Sequence, residues 1–389
     1  MNEEKIDKKI KVLVLSDHPL SPSGVGTQTK YMIESLLSTG KFSFICLGGA
    51  VKHHDYNPTK TQEWGDDWVI YPVDGYGSQD MIRSVMRNER PDILWFMTDP
   101  RFYAWLWDME DEIRPHIPMV YYHVWDNKPY PMFNKPFYES TDVIAAISKV
   151  TADIVENVAP DVDSLYLPHS VDTEIFSKKS VEAIEKFKKE NMPELNDDRF
   201  VFFWNNRNAR RKQSGSLIFW FKDSLDVVGH DKARLVMHTD VRDEHGQNLQ
   251  AIIEHLGLVN GEVMFSQSKI PPEMLSMIYN ISDCVVNISD AGEGIEPSSK
   301  AIIGSQPIPW IYEDRISGKD LVDAMLKIYN MTPEERAETG AAGRQHVVNN
   351  YNFENYKNNW ESLMLRIHEE YGSWENRKGY KKYELIEVS

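Results

Sequence analysis

The sequence has few cysteines and no long apolar run. Cys46 and Cys284 are its two cysteines, and each lies in an apolar segment that resembles a buried strand. This usage excludes a disulfide scaffold and a cysteine metal site. No run reaches the roughly 18 apolar residues that a transmembrane helix needs, so none is predicted.

Positive charge is also scarce. The chain has 43 Lys and Arg residues against 60 Asp and Glu, a formal net charge of −17. Phosphates would be repelled by most of such a surface, which argues against broad nucleic-acid binding but allows a local basic cleft. The first residues, MNEEKIDKKIKVLVLSD, lack the apolar core of a signal peptide. We therefore expect a soluble, cytoplasmic protein in a reducing compartment.

The chain does contain a regular alternation of apolar β-type runs and helical stretches. Its 389 residues suggest two domains. Strands separated by helices predict parallel sheets covered on both faces, because such strands are apolar throughout. A polar stretch over residues 172–196 predicts a domain boundary, and a second series begins with FVFFW at 200–204. One helix is predicted around residues 102–112.

The predicted fold class is therefore α/β, with two Rossmann-like domains whose parallel sheets face each other across a cleft. The N-terminal domain is predicted over residues 1–172 and is expected to bind the acceptor. The C-terminal domain is predicted over 173–365. A C-terminal helix and tail, residues 366–389, is predicted to pack back on the N-terminal domain.

A loop with two glycines follows the first strand and opens a helix. It runs from Asp17 through Gly24 and Gly26 to Thr27. Glycines let a backbone approach a ligand closely, and a helix N-terminus offers amides to an anion or a sugar hydroxyl. The third glycine of the dinucleotide fingerprint is missing. A purely structural turn is the alternative.

A basic loop follows the first strand of the second series. It contains Arg207, Arg210, Arg211 and Lys212. Ligands of parallel sheets bind at the carboxyl ends of strands, where Arg can hold a phosphate through two hydrogen bonds and Lys adds a point charge. The sequence thus indicates a localised anion site, with a solvated basic turn as the alternative.

A histidine and an aspartate follow the strand PMVYY. His123 and Asp126 are suitably placed to bind a substrate hydroxyl. A structural histidine whose hydrogen bonds are satisfied explains the same pattern equally well.

Taken in order, these segments resemble the glycogen-synthase-like retaining glycosyltransferases, family 4, which have the GT-B fold of two Rossmann-like domains. The similar segments are SPSGVGTQTKYMIESL, YHVWD, LPHSVDTEIF, FFWNNRNARRKQSG, VMFSQSKIPPEMLSMIYNISDCVVNIS and GAAGRQHVVNNYNFENYKNNWESLM. The resemblance covers roughly residues 10 to 370, and the order of the six segments makes it specific.

The resemblance implies a hexosyl- or pentosyltransferase that moves a sugar from a UDP-, GDP- or ADP-linked donor to an unidentified hydroxyl acceptor. It implies retention of the anomeric configuration, with neither metal nor other cofactor. Its implied catalytic residues are His123, Arg207 and Lys212. The donor and its phosphates would contact Gly24, Gly26, Arg207, Lys212 and Phe265, and the acceptor side would hold Asp17, Thr27 and Asp126.

The sequence departs from the family after residue 290, where the segment NISD ends. The family has a Glu there, seven residues, and a second Glu that holds the ribose. Here Lys300 and Ala301 follow Glu293 at that distance, which is consistent with either a lost donor loop or a skipped segment. Two alternative functions stay open. One is a transferase acting on a modified DNA base, with Arg210 and Arg211 contacting the DNA backbone, and the other is a non-catalytic nucleotide-sugar-binding protein.

Overall fold

The chain divides into two compact units. The computed structural model describes residues 8–288 and 294–381. The first unit contains the residues up to Val171, Gly304–Ile311, and the residues from Asn350 onward. The second contains Asp172–Ile303 and Tyr312–Asn349. Residues 350–365, which the sequence assigns to the second domain, thus group with the first unit.

Fourteen strands are found in the described residues. They are β1 Ile10–Asp17, β2 Phe42–Gly49, β3 Thr59–Lys60, β4 Trp68–Pro72, β5 Ile93–Met97, β6 Met119–His123, β7 Val143–Ala146, β8 Asp163–Tyr166, β9 Phe200–Asn205, β10 Ala233–His238, β11 Val263–Ser266, β12 Cys284–Val285, β13 Ser299–Ile303 and β14 Ile311–Arg315.

Thirteen α-helices are found over the same residues. They are α1 Gly24–Leu37, α2 Gln79–Glu89, α3 Ala104–Trp107, α4 Glu110–Ile113, α5 Lys135–Glu139, α6 Lys149–Val158, α7 Val181–Asn191, α8 Ser214–Val228, α9 Leu249–Leu256, α10 Pro272–Ile281, α11 Gly318–Tyr329, α12 Pro333–Asn350 and α13 Phe353–Tyr371. None of these helices has the length and apolar character that crossing a bilayer requires.

The first unit is built on an eight-stranded sheet of order β3-β4-β2-β1-β5-β6-β7-β8. Its pairs are parallel except for β3 with β4. Successive strand residues point to opposite faces, so Val12 and Val14 join one apolar cluster while Leu13 and Leu15 join another. On the first face, the Trp360 ring of α13 meets the ring of Trp95 edge-on at 5.9 Å.

The second unit is built on a four-stranded parallel sheet of order β11-β10-β9-β12, with a separate two-stranded sheet of β13 and β14. Phe202 and Trp204 pack on one face, and Val201 and Phe203 on the other. The two parallel sheets, each with apolar clusters on both faces, confirm the predicted α/β class with Rossmann-like units.

The single helix predicted around residues 102–112 is wrong. A 3₁₀ turn, Pro100–Phe102, precedes α3 and α4, and the backbone leaves the helical region between them at Met109. Leu106, Trp107, Met109 and Ile113 are all buried. Leu106, Met109 and Ile113 have the i, i+3, i+7 spacing of one helix face, which is the pattern of a single amphipathic helix and does not reveal the break at Met109. In the apolar segment DCVVNIS only two residues, Cys284 and Val285, form a strand.

Candidate functional site

The loop between β1 and α1 is organised by a buried carboxylate. Asp17 accepts a hydrogen bond from the Ser23 hydroxyl at 2.6 Å and another from the Tyr76 hydroxyl at 2.9 Å. The Ser23 oxygen in turn accepts from the Gly26 amide at 2.9 Å, which caps α1. Asp17 therefore fixes the loop, and the sequence did not indicate its partners Ser23 and Tyr76.

The two glycines of this loop differ in their surroundings. A Cβ atom on Gly26 would lie 2.7 Å from both the His18 carbonyl oxygen and the Ser21 hydroxyl oxygen, whereas one on Gly24 would meet nothing within 4 Å. Gly26 is thus required by close packing, and Gly24 leaves open space at the start of α1. Thr27 lies in the first turn, where its amide donates to the Ser23 carbonyl at 2.9 Å.

His123 is the last residue of β6 and is fully buried. Its Nε2 lies 2.6 Å from the Tyr138 hydroxyl, while its Nδ1 is buried without a hydrogen-bond partner among the described residues. Burial lowers the pKa of this imidazole to about 3, so the ring is neutral at physiological pH. Asp126 follows on an exposed part of the next loop.

A second imidazole, that of the half-buried His169, lies beyond β8 in the LPHSVDTEIF segment, with its Nε2 buried. Its Nε2 also has no hydrogen-bond partner within the described part of the chain, and its ring meets Tyr122 edge-on at 5.4 Å. Burial lowers its pKa to about 4. Because the carboxyl ends of the parallel strands β6, β7 and β8 meet at one edge, both histidines belong to that edge. Buried polar atoms are normally paired, so two unpaired ring nitrogens indicate a place for a ligand or water.

The basic loop of the second unit lies at the carboxyl end of β9. Arg207 is exposed and pairs through two nitrogens with Asp243, in the loop after β10, with Nη2 lying 3.1 Å from Oδ1. This pairing and the His245 amide lower the pKa of Asp243 to about 2. Arg210 pairs with Glu313 at 2.8 Å. Lys212 is half-buried at the end of the 3₁₀ turn that precedes α8.

A buried amide network holds this loop against the one after β10. Asn208 is fully buried. Its Oδ1 accepts from the Ser214 hydroxyl at 2.6 Å, and its Nδ2 donates to the Gln247 carbonyl at 2.8 Å. The Gln247 side chain accepts from the Gly215 amide at 2.8 Å. The network gives the basic loop a defined backbone path. In the sequence, the only signal for Asn208 is its position shortly after a strand.

A polar cavity of about 620 Å³ lies beside this loop. Its walls include Arg242, Asp243, Gln247 and Gln267, from the loops that follow β10 and β11. The volume is in the range of small-molecule and cofactor sites. Phe265, near the end of β11, is half-buried against the apolar core of the unit.

The fold is shared with solved sugar-transferring enzymes. A glycosyltransferase from Rickettsia africae ESF-5 is 13% identical with a TM-score of 0.63, covering 93% of this chain and 98% of its own. A trehalose-6-phosphate protein from E. coli bound with UDP-2-fluoro glucose is 11% identical with a TM-score of 0.62, covering 91% and 98%. A UDP-forming α,α-trehalose-phosphate synthase from Burkholderia xenovorans is 13% identical with a TM-score of 0.60, covering 92% and 98%.

The chain has the fold of these proteins. No protein-family model and no curated protein sequence matches it. At such low sequence identities the structural similarity establishes the fold alone, because one fold can carry many different activities.

No group of three or more His, Cys, Asp or Glu side chains is placed to hold a metal ion in the part of the chain that the structure describes. Glu293, where the sequence departs from the family pattern, lies outside the described residues.

Proposed function

We propose that the protein is a glycosyltransferase that moves a sugar from a nucleotide-diphosphate sugar to an acceptor hydroxyl. The observation that carries this proposal is the basic loop after β9, which lies at the carboxyl edge of a parallel sheet beside a polar cavity of about 620 Å³. Two proteins of the same fold support it, since one is bound with UDP-2-fluoro glucose and another is UDP-forming. We therefore favour a UDP-linked donor over GDP- and ADP-linked ones.

In this proposal, the second unit binds the donor. Arg207 and Lys212 neutralise the diphosphate and stabilise its negative charge as it leaves the sugar. The cavity lined by Gln247 and Gln267 takes the nucleoside. Strand β11, which ends directly before Gln267, holds the base through its backbone near Phe265. The Asn208 network keeps the backbone of the basic loop in place.

The first unit supplies His123 and the acceptor-side loop. A neutral imidazole with one uncommitted nitrogen can hydrogen-bond to a hydroxyl of the transferred sugar without adding charge. Gly24 leaves open space for a ligand at the start of α1, near Asp17 and Thr27. Asp126 contributes an exposed carboxylate to the acceptor side. Retention of configuration, independence from metal, and membership of family 4 belong to this proposal.

The experiment is release of nucleoside diphosphate from a panel of UDP-, GDP- and ADP-sugars, which needs no knowledge of the acceptor. We expect slow hydrolysis of at least one donor, reduced in Arg207→Ala and Lys212→Ala. Lys222→Ala is the matched control, because Lys222 is a cation of α8 paired with Asp226. Failure to hydrolyse any donor would overturn the proposal, and binding without hydrolysis would identify a sugar-nucleotide-binding protein. Salt-dependent DNA affinity would support the DNA alternative.

A further inference from the structure

Two cations of the basic loop after β9 are already paired with carboxylates from other segments. Arg207 is held by Asp243 and Arg210 by Glu313. These carboxylates lie 36 and 103 residues away along the chain, so neither pair is a local consequence of the turn. An incoming phosphate therefore meets a loop whose positive charge is partly neutralised.

The two partners of the first pair differ in how firmly they are held. The side chain of Asp243 is only 10% exposed, whereas that of Arg207 is 61% exposed. Asp243 also accepts from the His245 amide at 3.0 Å, and its own carbonyl accepts from the Gly246 amide at 2.9 Å. The pKa of its carboxyl group is about 2, so it is ionised at neutral pH. The carboxylate is thus a fixed anion, and the guanidinium is the partner that is free to move.

We propose that Asp243 is an affinity-determining residue of the donor site: its carboxylate competes with the diphosphate for Arg207 and so weakens binding of the nucleoside diphosphate product. This inference rests on the proposed function. Binding a phosphate through Arg207 requires the ion pair with Asp243 to open. The contribution of Arg207 to the binding free energy is therefore the difference between its contact with the phosphate and its contact with Asp243.

The competition acts most strongly on the product. After transfer, the nucleoside diphosphate carries one more ionisable phosphate oxygen than the sugar nucleotide, because the bond to the sugar has been broken. A fixed carboxylate repels this more negative species more than it repels the donor. Asp243 would therefore favour product release, a step that limits turnover in many enzymes.

The test compares Asp243→Asn with Asp240→Asn in the full-length protein. Both changes remove one negative charge from the same loop. Asp240 accepts a hydrogen bond from the Arg242 amide and is exposed, and no ion pair with a cation is found for it among the described residues. Calorimetric titration with UDP, GDP, ADP and inorganic pyrophosphate gives the affinities, and stopped-flow displacement gives the release rate.

We expect Asp243→Asn to bind the preferred nucleoside diphosphate and pyrophosphate about tenfold more tightly and to release them more slowly, while Asp240→Asn stays within twofold of wild type. In an Arg207→Ala background most of this gain should disappear, as a double-mutant cycle requires if the effect acts through Arg207. Unchanged or weaker binding in Asp243→Asn would overturn the inference, because it would mean that Asp243 orients Arg207 productively or has no effect on it.

The pyrophosphate titration separates this inference from the proposed function. If no nucleoside diphosphate binds but pyrophosphate binds more tightly to Asp243→Asn, the proposed function fails and the competition by Asp243 stands. If neither nucleotide nor pyrophosphate binds to wild type or variant, both are overturned.

Discussion

Burial of His123 predicts a specific pH dependence of stability. Its pKa is about 3 in the folded protein, against 6.5 for an ordinary histidine. The unfolded chain therefore binds more protons below pH 6.5, and folding stability falls as the pH falls from 6.5 towards 3. Between pH 7 and pH 5 this single group should cost about 2 kcal/mol of unfolding free energy. His169, whose pKa is also lowered, acts in the same direction.

The perturbation is His123→Phe, which keeps an aromatic ring but removes the titrating group. His54→Gln is the control, because His54 is exposed on a loop. Each protein is unfolded in urea at pH 7, 6 and 5 and then labelled by a hydrogen-exchange pulse at one constant pH. Mass spectrometry of peptides from β6 then reports on unfolding of the first unit alone. Between pH 7 and pH 5, we expect the free energy of unfolding to fall by about 2 kcal/mol less in His123→Phe than in either wild type or His54→Gln. Equal losses of stability in all three proteins would show that His123 does not titrate on unfolding in this pH range.

The remaining predictions concern packing and catalysis. Gly26→Ala should destabilise the first unit by about 1–3 kcal/mol, because its Cβ would overlap neighbouring atoms, while Gly24→Ala should be close to neutral in the same thermal-unfolding assay. Asp142→Asn should cost about 3–5 kcal/mol, since it breaks the buried pair with Arg377 at 2.7 Å; an unchanged melting temperature would contradict this. His123→Ala should lower turnover about 100-fold or more with little change in nucleotide affinity. A loss of stability with an unchanged rate per folded molecule would instead indicate a core residue.

Local chemistry made much of the fold predictable. The sequence Thr-Pro-Glu-Glu at residues 332–335 is typical of a helix start, and α12 begins there with reciprocal hydrogen bonds between Thr332 and Glu335. Strand β4 coincides with the apolar segment WVIYP. In contrast, β8 has a polar, alternately exposed sequence and was not predicted, and α7 lies within the stretch interpreted as a boundary. Both elements depend on neighbours that are distant in sequence.

The site was predictable only in part for the same reason. The positions of Arg207 and Lys212 after a strand were visible in the sequence, because strand ends and basic residues are local features. The pairing of Arg207 with Asp243 and of Asp17 with Tyr76 was not, since each joins loops that follow different strands. The burial of His123 behind Tyr138 is likewise a property of packing, which spacing alone does not reveal.

The most direct test of the donor site is a crystal structure of the full chain with the sugar nucleotide that is hydrolysed fastest. We expect the diphosphate at the carboxyl end of β9, within hydrogen-bond distance of Arg207 and Lys212, with the Arg207–Asp243 pair opened and the nucleoside in the cavity beside Gln247. A sugar nucleotide bound elsewhere, with both cations remote from its phosphates, would show that the basic loop is not the donor site.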